Sequence, residues 1–371
     1  MKSNRSNSLK AATIAAAFLT LVAAARAEVE DKITKNFKVQ PGGQLVMDVD
    51  RGNIEIKTAD GEAVDIAVER KAGGSKSKAE RTLKDHEVTI TQDGNKVEVR
   101  AEFKGAKYGG WFGRSPELQV DYVIALPRKF DADLKTAGGH IKVGELTGKL
   151  KAHTSGGNLT FEKIVGPVSA NTSGGHVTLA GCKGKVELKT SGGNLKLSDI
   201  EGDVTAGTSG GHVNAARVTG NTVLKTSGGN VEVAEIKGSV EATTSGGHMS
   251  AAKVSGKTVL KTSGGNITVS GIGGPIEANT SGGNISAELL EQPAGDCSFK
   301  TSAGNVTLAL AAKVAVDVDA HTSGGRVSTD LPVAAEVQGE QKDNTLRGKI
   351  NGGGPLLTAH TGGGHVRFVK K

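Results

Sequence analysis

"TSGGHVTLAGCKGKVELKTSGGN", Thr172 to Asn194, contains one four-residue word twice, eighteen residues apart, closed first by His and then by Asn. The threonine that opens the word stands at 136, 154, 172, 190, 208, 226, 244, 262 and 280, then at 301 and 322 after spacings of 21. A degenerate copy, "HTGGGH", follows at 360 to 365. A fixed short period of this kind marks a stack of repeated structural units.

The residues between the words alternate as short strands do. In "NVEVAEIKGSVEATTSGG", Val231, Val233, Ile236, Val240 and Ala242 can face one way and Glu232, Lys237 and Glu241 the other. A glycine recurs near the middle of each unit, at 148, 166, 184, 202, 220, 238 and 256. Each unit therefore holds about two short strands and two turns, and cannot bury its apolar face alone. Stacking buries it, which predicts an all-β parallel β-helix or β-solenoid with about 18 residues per unit. The Gly pair of each word is expected to turn the chain through positive φ and to let neighbouring coils approach, while Thr and Ser bond the turn.

The fifth position reads His140, Asn158, His176, Asn194, His212, Asn230, His248, Asn266, a 36-residue period laid over the first. Apolar bulk follows it, with Ala215 and Leu224 in one unit, Val233 and Ala242 in the next, then Ala251 and Leu260. A coil of eighteen residues with complementary neighbours, or one of thirty-six with two similar halves, produces this pattern. The small side chains favour the narrower coil. Cys182 and Cys297 fall in inward positions several units apart, too far to bridge, and read as buried free thiols.

Residues 1–27 read as an export signal: Lys2, Arg5 and Lys10, then "AATIAAAFLTLVAAA", then Ala25-Arg26-Ala27. Without them the formal charge of +7 falls to +3. Outside them no apolar run approaches the roughly 20 residues that span a bilayer. An exported protein is expected, in the periplasm, on the outer surface or in the medium. Residues 28–135 are β-rich with irregular spacing and form an N-terminal region or cap, in which "KAGGSKSKAERT" reads as a flexible loop. The solenoid repeats occupy 136–330, and 331–371 form irregular C-terminal coils or a cap, with "GPLLTAHTGGGHVRFVKK" closing that end of the stack.

On the residues "FKVQPGGQLVMDVDRGNIEIKTADG", "ALPRKFDADLKTAGGHIKVGELTGKLKAHTSGGNL" and the recurring TSGG[HN], the chain resembles the bacterial DUF4097 family of adhesin-like proteins over nearly all of the sequence after the signal. The resemblance implies an exported β-solenoid with an adhesin-like role. It supplies no catalytic residue to carry over.

Candidate chemistry is sparse. Histidines two eighteen-residue coils apart are about 9.6 Å from each other, too far to share a metal with ligands near 2 Å. A thirty-six-residue coil would halve that distance. Calcium-binding β-rolls place Asp at fixed turn positions, where this chain has Thr, Ser, His and Asn. Glu235, Glu241 and Glu277 recur as face positions and not as a glycosidase pair, and each Ser of TSGG belongs to a repeated turn. No enzyme activity, cofactor or metal is expected. Lys and Glu mixed along the strands argue against nucleic acid. The contact candidates are Tyr108, Trp111, Phe112 and Arg114 in "YGGWFGR", which holds the sole Trp; its aromatics suit a sugar ring or a protein contact, or a plug at the end of the solenoid. The function expected is adhesion or cell-envelope scaffolding on a cell-surface protein or polysaccharide. The alternative is a carbohydrate-binding or polysaccharide-active β-helix.

Overall fold

The computed structural model describes residues 28–104, 117–335 and 343–371. The signal at 1–27 and the cluster of Tyr108, Trp111, Phe112 and Arg114 lie outside the described residues. The fold is a β-solenoid of two facing, mostly parallel sheets. Through the repeats each residue stands opposite the one eighteen later: Val213 faces Val231 and Ala215 faces Val233 in one sheet, and Leu224 faces Ala242 in the other. One rung is thus eighteen residues. It places a longer strand such as Val213–Thr219 in the first sheet and a shorter one such as Thr222–Lys225 in the second.

Two such sheets can close only over a thin interior. Leu197 and Ala206, Ala215 and Leu224, and Ala251 and Leu260 are all 2% exposed or less, so bulk passes from one sheet to the other in successive rungs while each rung keeps a similar filling. Interiors packed at crystal-like density require this compensation. Cys182 stands between Ile164 and Ile200, and Cys297 beside Ile276. Both thiols are free, and burial pushes each up to about 11.

Strict alternation along the long strands fails at one place per rung. Val233 and Ile236 both point inward although three residues separate them. Glu235 between them has φ 58° and no partner in the ladder, because the pairing passes from Ala216–Ala234 to Val218–Ile236. It is a left-handed kink, matched residue for residue in the neighbouring rung, that resets the phase of the strand. The same left-handed turn recurs at Glu145, Lys163, Gly181, Asp199, Arg217, Lys253 and Gly271. A non-glycine residue held there costs on the order of 1 kcal/mol. The charged side chains pair between rungs: Glu145 with Arg128 at 2.8 Å and with Lys163 at 2.6 Å, Asp199 with Arg217 at 2.6 Å, Glu235 with Lys253 at 3.2 Å. Exposed pairs offset only part of the strain.

At both ends the order of rungs departs from the order of the chain. Strands Gly43–Val49 and Asn53–Ala59 lie between strands that follow them, Lys96–Phe103 and Leu118–Pro127 on one side and Phe130–Thr136 and Ile141–Gly144 on the other. At the far end, strands Leu356–Thr361 and Val366–Lys370 are inserted between Cys297–Thr301 and Val306–Leu310 on one side and Val316–Thr322 and Val327–Thr329 on the other. "GPLLTAHTGGGHVRFVKK" therefore is an internal rung and does not close the stack. That edge ends in the antiparallel strands Thr345–Ile350 and Val333–Ala335.

The expected loop "KAGGSKSKAERT" instead ends a strand at Ala72 and, from Lys76 on, enters a helix, Lys76–Asp85. Ser75 caps it by accepting from the Lys78 N–H at 3.4 Å, and Ala79, Thr82 and Leu83 form its buried face. A serine cap with buried residues three and four apart outweighs the polar composition that suggested a loop.

Candidate functional site

The repeated word forms one edge of the solenoid. Its threonine is buried and works in both directions: the Thr226 Oγ1 donates to the carbonyl of Gly211 in the rung below at 2.9 Å and accepts from the Gly229 N–H of its own turn at 3.3 Å. The same pair of bonds recurs at Thr154, Thr172, Thr190, Thr208, Thr244, Thr262 and Thr280. The two glycines differ in role, and neither is in the left-handed region expected of a turn glycine. A Cβ on Gly229 would lie 1.8 Å from the Gly211 carbonyl oxygen, whereas one on Gly228 would meet nothing nearer than 3.8 Å. Close approach, not backbone conformation, fixes the second glycine. The chain makes the comparison itself, since Ala303 occupies the first slot in the word at 301.

The alternation of His and Asn has the same kind of answer. The Asn158 N–H donates to His140 Nδ1, the His176 N–H to Asn158 Oδ1, the Asn194 N–H to His176 Nδ1 and the His212 N–H to Asn194 Oδ1, each at 2.8 to 2.9 Å. Histidine and asparagine both carry an acceptor on the atom attached to Cγ, at the same reach from the backbone. Each side chain thereby satisfies the outward N–H of the next rung. The column continues through Asn266, Asn284 and Asn305 to His365, and His365 Nδ1 accepts from Arg326. These histidines are structural acceptors with Nε2 turned away from the bond.

The most concentrated polar cluster lies at the N-terminal end. Arg70 donates to the carbonyls of Leu83 at 3.0 Å and His86 at 2.6 Å and pairs with Asp31. His86, with a fully buried side chain, meets Asp50 at 3.1 Å, and Arg51 stacks 4.5 Å over the Phe103 ring. Burial pushes the Asp50 carboxyl up, but the hydrogen bond and charge of His86, with the charge of Arg51, leave it below its usual value. Burial raises the Tyr122 phenol. Among the described residues Arg70 Nε, His86 Nδ1 and Tyr122 Oη have no partner. The cluster fastens the helix and strand His86–Asp93 to the first rungs. Sequence reading passed over it because its members are scattered between positions 31 and 122.

An open groove of about 700 Å³ lies near this end, lined by Asn36, Lys38, Gln40, Glu62 and Asn95. Among the described residues no three His, Cys, Asp or Glu side chains are grouped to hold a metal, and no helix is long and apolar enough to cross a membrane.

Solved structures similar to this chain at low identity include the following three. A Clostridium sporogenes protein provisionally named for cell adhesion is 12% identical, with 92% of this chain and 100% of that one covered and a TM-score of 0.20. A Bacteroides fragilis protein provisionally named an adhesin is 12% identical, covering 92% and 97%, with a TM-score of 0.25. A Parabacteroides distasonis protein provisionally named for lipid binding is 13% identical, covering 91% and 96%, with a TM-score of 0.27. Similarity this loose says nothing about ligands. No curated protein matches the chain. The family described as Toastrack DUF4097 matches residues 43–234 and again 203–367, the overlap being what a repeat produces. The chain belongs to the Toastrack DUF4097 family.

Proposed function

We propose that this protein is an exported, non-catalytic β-solenoid that attaches to a repetitive cell-surface polysaccharide or protein through the outward columns of its sheets. The observation that carries the reading is register. Lys189, Gly207, Lys225, Thr243, Lys261, Asn279 and Lys300 stand in one outward column, so a lysine recurs on every second rung. At about 4.8 Å per rung the ammonium groups are roughly 9.6 Å apart. Lys189 and Lys261 also meet Glu187 and Glu277 at 2.8 and 3.0 Å, so the face offers alternating charge rather than a basic stripe. A partner that repeats along its own length can meet many weak sites at once, and avidity then replaces a deep pocket.

The test is fractionation of the native host followed by crosslinking and mass spectrometry. The expected result is recovery with a surface polymer or protein, reduced when Lys189, Lys225, Lys261 and Lys300 are together changed to Ala. Soluble protein with no crosslinked partner would sink the reading. A second reading, binding of a short glycan, is favoured by the amide and carboxylate side chains of the N-terminal groove. Binding on a glycan array that Glu62→Ala and Asn95→Ala abolish would support it, and the lysine variant would then leave binding intact.

A further inference from the structure

We propose that His321 and His360 form a binding site for a divalent transition-metal ion of the zinc, nickel and copper group, on the outer face of the second sheet near its C-terminal edge. The chain has nine histidines, and their environments separate them. His140, His176, His212, His248 and His365 commit Nδ1 to the edge ladder. Those of the regular repeats also recur only every second rung. His86 is buried against Asp50. His153 stands in an outward column between Lys135 and Asn171. Only His321 and His360 lie opposite each other on neighbouring parallel strands.

Their rings are 6.2 Å apart between centroids and perpendicular at 89°. The Nε2 of His360 is buried and has no hydrogen-bond partner among the described residues. An ion holding two nitrogens at 2.0–2.1 Å in tetrahedral geometry sets them roughly 3.3 Å apart. Side chains on rungs about 4.8 Å apart reach that separation by turning toward each other. Asp319 lies two residues before His321 on the same face, where Arg347 holds it at 3.2 Å. The site is thus two imidazoles completed by water, with a carboxylate alongside. It exists because the last coil is inserted beside strand Val316–Thr322.

The experiment is calorimetric titration of the untagged full chain with Zn²⁺ and with Ni²⁺. One saturable equivalent per chain is expected, and His321→Ala or His360→Ala should each weaken it by about ten-fold or more, as loss of a ligand does at least as strongly as loss of its outer partner. His153→Ala, in the column of His360 but without a facing histidine, should bind as the parent does. A matching melting curve without metal shows that each variant is folded. Absence of saturable binding overturns the proposal. So does binding that survives both pair variants, or that His153→Ala removes.

Discussion

Gly229→Ala and Gly228→Ala differ by one position and should differ by several kcal/mol. A methyl on Gly229 would sit 1.8 Å from the oxygen and 2.4 Å from the carbon of the Gly211 carbonyl, so rungs 18 residues apart must separate by more than 1 Å, an order-of-magnitude figure from contact radii. Four bonds cross or brace that junction: Thr226 Oγ1 to the Gly211 carbonyl at 2.9 Å, the Gly229 N–H to Thr226 Oγ1 at 3.3 Å, the Asn230 N–H to His212 Nδ1 at 2.9 Å, and the Val213 N–H to the Asn230 carbonyl at 2.9 Å. At about 0.5–1.5 kcal/mol net for each, their loss costs roughly 2–6 kcal/mol. Gly228 has no such neighbour and no left-handed backbone, so alanine there should be neutral or should stabilise by about 0.4–1 kcal/mol through the unfolded chain. Urea unfolding gives the two values, and hydrogen exchange should place the Gly229→Ala effect in the adjoining rungs, because solenoid stability is summed over neighbours. Equal effects for the two, or a Gly229→Ala loss under about 1 kcal/mol, would refute close approach as the reason for the second glycine.

Arg217 has φ 54° and pairs with Asp199, so Arg217→Gly should fall within about 1 kcal/mol of the parent while Arg217→Val loses about 1–2 kcal/mol, measured by the same urea series. His212→Asn retains the acceptor for the Asn230 N–H and should unfold with the parent, whereas His212→Leu should lose about 0.5–1.5 kcal/mol. Asp50 is held below its ordinary 3.8 despite burial, by the hydrogen bond and charge of His86, so its contribution is present above that value and is lost as pH falls through the lowered one. Hydrogen exchange on lowering pH below 3.8 should therefore open strand His86–Asp93 before the central repeats, and Asp50→Asn should remove the difference. Cys182 and Cys297, each pushed up to about 11 by burial, should resist an aromatic disulfide reagent at neutral pH until the chain unfolds.

The repeat was legible because packing imposes a separate demand at each position of the rung. Leu224 and Ala242 show the compensation of volume in the letters themselves, and it was this narrow filling that favoured eighteen residues over thirty-six. Glu235 was less legible. Its φ of 58° is a backbone state that glutamate rarely adopts, and neither propensity nor periodicity announces it. One signal was present: Val233 and Ile236 both had to be inward, and no alternating strand can do that. The His and Asn column was visible as a pattern, but its cause lay in a bond from one rung to the next. Side-chain chemistry could have supplied it, since the two residues share an acceptor at the same reach and little else.

Equivalence of the rungs also conceals their order. The word at 360 to 365 makes the side-chain bonds of a regular copy: Thr361 Oγ1 donates to the Gly304 carbonyl and accepts from the Gly364 N–H, and the His365 N–H donates to Asn305 Oδ1. A Cβ on Gly364 would lie 2.2 Å from the Gly304 oxygen, and one on Gly325 would lie 2.2 Å from the Gly364 oxygen. The rung beginning at Thr361 thus fits on the one beginning at Thr301 and receives the one beginning at Thr322 with the same close approach on both faces. Periodicity specifies how any copy meets any other and is silent on which copies meet. His321 and His360 depend on that second choice: in chain order they would belong to rungs separated by the intervening hairpin, and in the folded order they share one strand pair. A site of this kind has no motif in the sequence, because its ligands become neighbours through the threading of the coil and not through their spacing.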